Sequence, residues 1–68
     1  MKNWINVYKT GRVIDAELIK TILIDHQIDA VVINKIDSSY LFGEAIVYCQ
    51  PQNEEAAKEI IKNTLTQS

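Results

Sequence analysis

Ile28-Asp29-Ala30-Val31-Val32-Ile33, then Asn34-Lys35-Ile36-Asp37-Ser38-Ser39-Tyr40-Leu41-Phe42-Gly43-Glu44, then Ala45-Ile46-Val47-Tyr48-Cys49: these residues decide how the chain folds. The outer runs are short, apolar and β-branched, which predicts two strands, Ile28–Ile33 and Glu44–Gln50. Pro51 stops the second, because it cannot donate to a ladder. The first run is apolar almost throughout, which implies burial on both faces or a partner. The segment Asn34–Glu44 exceeds the roughly two to five residues of an ordinary hairpin connection and lacks Asn-Gly or Asp-Gly. It carries a lysine, two acids, two serines, two aromatics and a glycine. Loops held by a rigid scaffold concentrate binding residues, so this segment is the candidate site.

Working outward, Asn3–Lys9 alternates, with Ile5 and Val7 on one side and Trp4 and Tyr8 on the other, as in a strand. Thr10-Gly11 ends it, and Thr10 is positioned to cap a helix from Val13 to about His26. Ala16, Leu18, Ile19, Ile22 and Leu23 are assigned to its buried face, with Ile24 on the polar side. Beyond Pro51, Asn53 caps a second helix from Glu54 to about Leu65. Its apolar stripe is Ala56, Ala57, Ile60, Ile61 and Thr64, and Glu54 and Lys58 form an i,i+4 pair.

The order βαββα predicts an α+β, ferredoxin-like domain. A right-handed crossover joins the first two strands, and the third inserts between them, antiparallel to both. The expected sheet is three-stranded, antiparallel, in order 1-3-2, with both helices on one face. Trp4, Tyr8, Ile46 and Tyr48 would then form an apolar patch on the helix-free face, and the first strand an open edge. Parity leaves open which side of the second strand meets the helices.

Composition narrows function mainly by exclusion. Sixty-eight residues, 47% hydrophobic and 24% charged, make one domain over 1–68 with Thr66-Gln67-Ser68 as a frayed tail. A domain this small buries only about 60% of its unfolded surface, which makes oligomerisation a plausible source of extra stability. The net charge of −2 with scattered basic residues argues against nucleic acid. No run reaches the ~18 apolar residues of a membrane helix, and Asn6 and Lys9 interrupt any secretory segment, so a cytoplasmic protein is expected. One cysteine and one histidine offer no metal cluster. Cys49 reads as a small core residue and His26 as a helix C-terminal residue favoured by the dipole.

Asn34-Lys35-Ile36-Asp37 spells the N-K-x-D pattern by which GTP-binding proteins read guanine. No phosphate-binding glycine loop accompanies it, and Gly11 and Gly43 are the only glycines. Ser38 and Ser39 have no nearby histidine, and Asp37 and Glu44 read as solvated loop acids. No enzyme activity and no cofactor are expected.

Trp4 with Val7-Tyr8, Ala16-Glu17-Leu18-Ile19-Lys20, Ile28-Asp29-Ala30-Val31-Val32 and the signature Asn34-Lys35-x-Asp37-Ser38-Ser39-Tyr40…Phe42-Gly43-Glu44 together carry a resemblance. The chain is similar to the small prokaryotic signal-transducing protein family, a domain without an assigned function. The resemblance covers Trp4 to about Leu65 and departs at Cys49, where members often have valine or another apolar residue. It implies a ferredoxin-like domain shaped like the nitrogen-regulatory P-II proteins, in a bacterial cytoplasm. It transfers no ligand and no catalytic residue.

The expectation is a non-enzymatic binding module for a protein or small-molecule partner. Asn34, Lys35, Asp37, Ser38, Ser39, Tyr40, Phe42, Gly43 and Glu44 are its recognition residues, Gly43 allowing a tight turn or bulge. The alternative is a homo-oligomeric structural domain, such as a homodimer, joined through the first-strand edge or the Trp4/Tyr8/Tyr48 face.

Overall fold

The computed structural model describes residues 3–36 and 43–66. Their order is β1 (Ile5–Thr10), α1 (Val13–Asp25), β2 (Ala30–Ile36), β3 (Gly43–Cys49) and α2 (Glu54–Thr66), with a 3₁₀ turn at Pro51–Asn53 before α2. The sheet runs β1-β3-β2, antiparallel throughout. This is the expected α+β, ferredoxin-like βαββα arrangement.

β3 explains the layering. Ala45, Val47 and Cys49 alternate along it, all fully buried, in one cluster with Ala16, Ile19 and Leu23 of α1 and Ala57 and Ile61 of α2. Both helices therefore cover the same face. The Cα envelope is only 15 Å deep, which fits one sheet plus one helix layer. Register resolves the parity of β2: Ala30 and Val32 lie opposite Cys49 and Val47, toward the helices, while Val31 and Ile33 lie opposite Tyr48 and Ile46, away from them.

β1 departs from simple alternation. Its pairing with β3 shifts between Asn6 and Tyr8, from Asn6↔Tyr48 to Tyr8↔Val47. Val7 is the extra residue of a β-bulge, and both Val7 and Tyr8 pack on the core. Tyr8 thus faces the helices, correcting its expected place on the helix-free face. Alternation alone could not reveal this, because one inserted residue reverses every side chain after it.

α1 also differs from expectation in what it buries. Ala16, Ile19 and Leu23 are its buried residues, at i, i+3 and i+7, whereas Leu18 is 55% exposed. Two residues at 100° each carry Leu18 to the far side from Ala16. Ile24 is exposed as expected, and Ile14 is 74% exposed. Arg12, not Thr10, occupies the N-cap position, and the Thr10 hydroxyl accepts the Arg12 N–H at 3.1 Å. At the other end Gln27 adopts φ 65°, and the amides of Gln27 and Ile28 donate to the carbonyls of Ile24 and Leu23, each at 2.9 Å. That is a Schellman ending, closed by the buried pair Leu23 and Ile28.

In α2 the stripe of Ala57, Ile60, Ile61 and Thr64 faces inward or is half-buried, and Ala56 is exposed. Asn53 is the last residue of the 3₁₀ turn rather than a residue standing outside the helix. The Lys58 ammonium reaches the Glu54 carboxylate at 2.8 Å, as the spacing predicts.

Candidate functional site

The described ends of the segment Asn34–Glu44 are strand. β2 continues through Asn34, Lys35 and Ile36, which oppose Ala45, Glu44 and Gly43 in unbroken register. Gly43 is a regular ladder residue, without positive φ and without a bulge, so it makes no special turn. Only residues 37–42 separate the last paired rungs. The expected site residues Asp37, Ser38, Ser39, Tyr40 and Phe42 lie outside the described residues.

The helix-free face is built by register. Its rungs read Asn6, Tyr48, Val31, then Lys9, Ile46, Ile33, then Glu44 with Lys35. Val31, Ile33, Ile46 and Tyr48 make an apolar centre. Ile46 is only 5% exposed although it stands apart from the helix-side cluster. The charged end abuts the hairpin: the Lys9 ammonium lies 3.1 Å from the Glu44 carboxylate, and Lys35 occupies the rung opposite Glu44. Among the described residues, one acid between two ammonium groups makes this corner cationic. Of the expected site residues, Lys35 and Glu44 therefore share a face with Ile46 and Tyr48. Asn34 sits on the helix-side register beside Ala45, and Tyr8 is inside. Trp4 is half-buried just before β1.

A second surface feature escaped the sequence reading. Tyr8, Asp15, Leu18, Ile19, Thr64 and Leu65 line a groove of about 290 Å³ between α1, α2 and β1. Ligand pockets usually start at about 300 Å³, so it is small. Two of its polar groups are already engaged: Asp15 lies 3.6 Å from the Arg12 guanidinium, and the Thr64 hydroxyl donates to the Ile60 carbonyl at 2.9 Å. What remains is an apolar crease rimmed by Leu18 and by Leu65, which is 58% exposed. The available signal was α1 itself, whose apolar residues Val13, Ile14, Leu18, Ile22 and Ile24 exceed one stripe.

His26 and Cys49 both have structural surroundings. The His26 Nδ1 lies 2.8 Å from the Ile22 carbonyl, closing its own helix. Cys49 is fully buried, and its thiol donates weakly to the Gln50 carbonyl at 3.4 Å. Burial pushes that thiol up from its ordinary range, with the Glu54 carboxylate adding to the rise and Lys58 opposing it. A raised thiol is a poor nucleophile at neutral pH. Among the described residues no polar or charged side chain is buried, and no three His, Cys, Asp or Glu side chains gather as metal ligands. No described helix is long and apolar enough to cross a membrane.

No protein-family model, no curated protein and no solved structure matches the chain.

Proposed function

We propose that this chain is a non-enzymatic binding module whose recognition surface is the helix-free face of the sheet at its hairpin end. One observation carries the reading. Register sets the half-buried Val31, Ile33 and Tyr48, around the buried Ile46, directly beside the cationic corner of Lys9, Glu44 and Lys35. Such a surface suits a partner presenting an acidic group next to apolar side chains, with the aromatic ring of Tyr48 as the anchor. The exposed ion pair contributes orientation and encounter rate rather than stability. The sequence resemblance to small prokaryotic signal-transducing domains supports the same reading and a bacterial cytoplasmic setting.

The test compares partners captured by the wild-type chain with those captured by Tyr48→Ala, by Lys9→Glu and by Leu18→Gln. The face variants should lose the wild-type partner while the groove variant keeps it. Capture that survives both face variants, or fails only with Leu18→Gln, overturns the proposal.

A further inference from the structure

The two edges of the sheet differ in a way that singles out one of them. Order β1-β3-β2 leaves β1 and β2 both at edges. β1 is interrupted by the bulge at Val7 and carries Lys9, devices that blunt an edge against a further strand. β2 runs seven residues in unbroken register with β3, is apolar on both faces from Ala30 to Ile33, and pairs with no second described strand. A regular apolar edge of this kind is a template for strand addition.

From this edge we infer a two-fold dimer in which β2 pairs antiparallel with β2 of a second copy, making a six-stranded sheet in the order 1-3-2-2-3-1. Charge complementarity selects the occupant and the register. Antiparallel pairing centred on Val32 sets Val32 against its own mate, Val31 against Ile33, Ala30 against Asn34, and Asp29 against Lys35. Residues of equal parity share a face, so Val31, Ile33 and Lys35 fall on the helix-free side, and the exposed Asp29, one residue before β2, continues that parity. Each copy then meets acid with base at both ends of the interface and apolar with apolar at its centre. Moving the centre to Ile33 sets Val31 against Lys35, and moving it to Val31 sets Asp29 against Ile33. Of these three registers, only the one centred on Val32 pairs the charges. Asp29 and Lys35 are both exposed, and neither is ion-paired to another described residue. The axis stands normal to the sheet, as an isologous interface requires, and keeps the helices of both copies on one side. The two helix-free faces join into one surface. This self-association uses the edge opposite to β1 and draws Lys35, one lysine of the proposed recognition corner, into pairing with Asp29 of the second copy.

Sedimentation velocity on the purified chain, across a concentration series at low ionic strength and without partner, tests the inference. A dimer should form and weaken with added salt. Asp29→Lys or Lys35→Asp alone turns two attractive cross-strand pairs per dimer repulsive and should raise the dissociation constant about tenfold or more. The double variant Asp29→Lys with Lys35→Asp should restore wild-type association. Both positions are exposed, and circular dichroism checks that each variant is folded. A monomer at every concentration, a dimer indifferent to the single variants, or a double variant that fails to recover overturns it.

Discussion

At the scale of single residues, Cys49 shows how burial converts a reactive group into packing. Its side chain lies between the sheet and α2, fully out of water. Burial raises the thiol first, and the Glu54 carboxylate raises it further. The sign follows from linkage. Up to about pH 8, folded and unfolded chains both keep the proton; above about pH 8.5 the unfolded thiol ionises first. The stability present at lower pH is therefore lost as pH climbs toward the folded pKa. Urea midpoints of wild type and Cys49→Ala should differ by a constant amount at neutral pH, with wild type higher, and that gap should narrow above about pH 8.5. A gap that stays flat or widens through about pH 10 contradicts the assignment. The core role of Cys49 was legible from its apolar neighbours. So was the helix-ending role of His26, for only a short-range pattern was needed.

At the scale of elements, the number, type and order of helices and strands were readable from periodicity and from Pro51. Where the reading failed, it failed on facing and extent. Simple alternation, which contains no bulge, puts Tyr8 outward, and an α1 too apolar to show a single stripe puts Leu18 inward. The segment Asn34–Ile36 reads as polar and loop-like, yet it is strand, because β3 supplies a partner for each of its rungs. The bulge has a direct consequence. Tyr8→Ala should cost about 2 kcal/mol or more, as for a ring packed on a core, whereas the neighbouring Asn6→Ala should fall within about 0.5 kcal/mol. Chemical denaturation of the two variants measures both, and equal effects would mean that Tyr8 faces solvent.

At the scale of the whole molecule, the centre of the sheet is also the centre of stability. β3 is hydrogen-bonded on both sides and supplies Ala45, Val47 and Cys49 to the core, while among the described residues β1 and β2 each pair on one side only. Native-state hydrogen exchange should find the β3 amides exchanging only by global unfolding. Edge amides that point away from β3 should exchange far sooner. Equal protection across the three strands of a verified monomer would contradict the strand order. In the dimer inferred above, the outward amides of β2 gain protection and those of β1 do not, so the same measurement reports which edge is used.

By itself the sequence determined the βαββα order, the sheet order, the single helix layer and the inward roles of Ala16, Leu23, Val47 and Cys49. These depend on hydrophobic period, chain breakers and the handedness of crossovers, all of which act locally or by general topological rule. Only the tertiary structure decided that Tyr8 turns inward, that Val31 and Ile33 turn outward, and that Asn34–Ile36 belongs to the ladder. It also brought Lys9, Glu44 and Lys35 to one corner. Each of those depends on register between strands distant in sequence, where one inserted residue exchanges the two faces of a sheet.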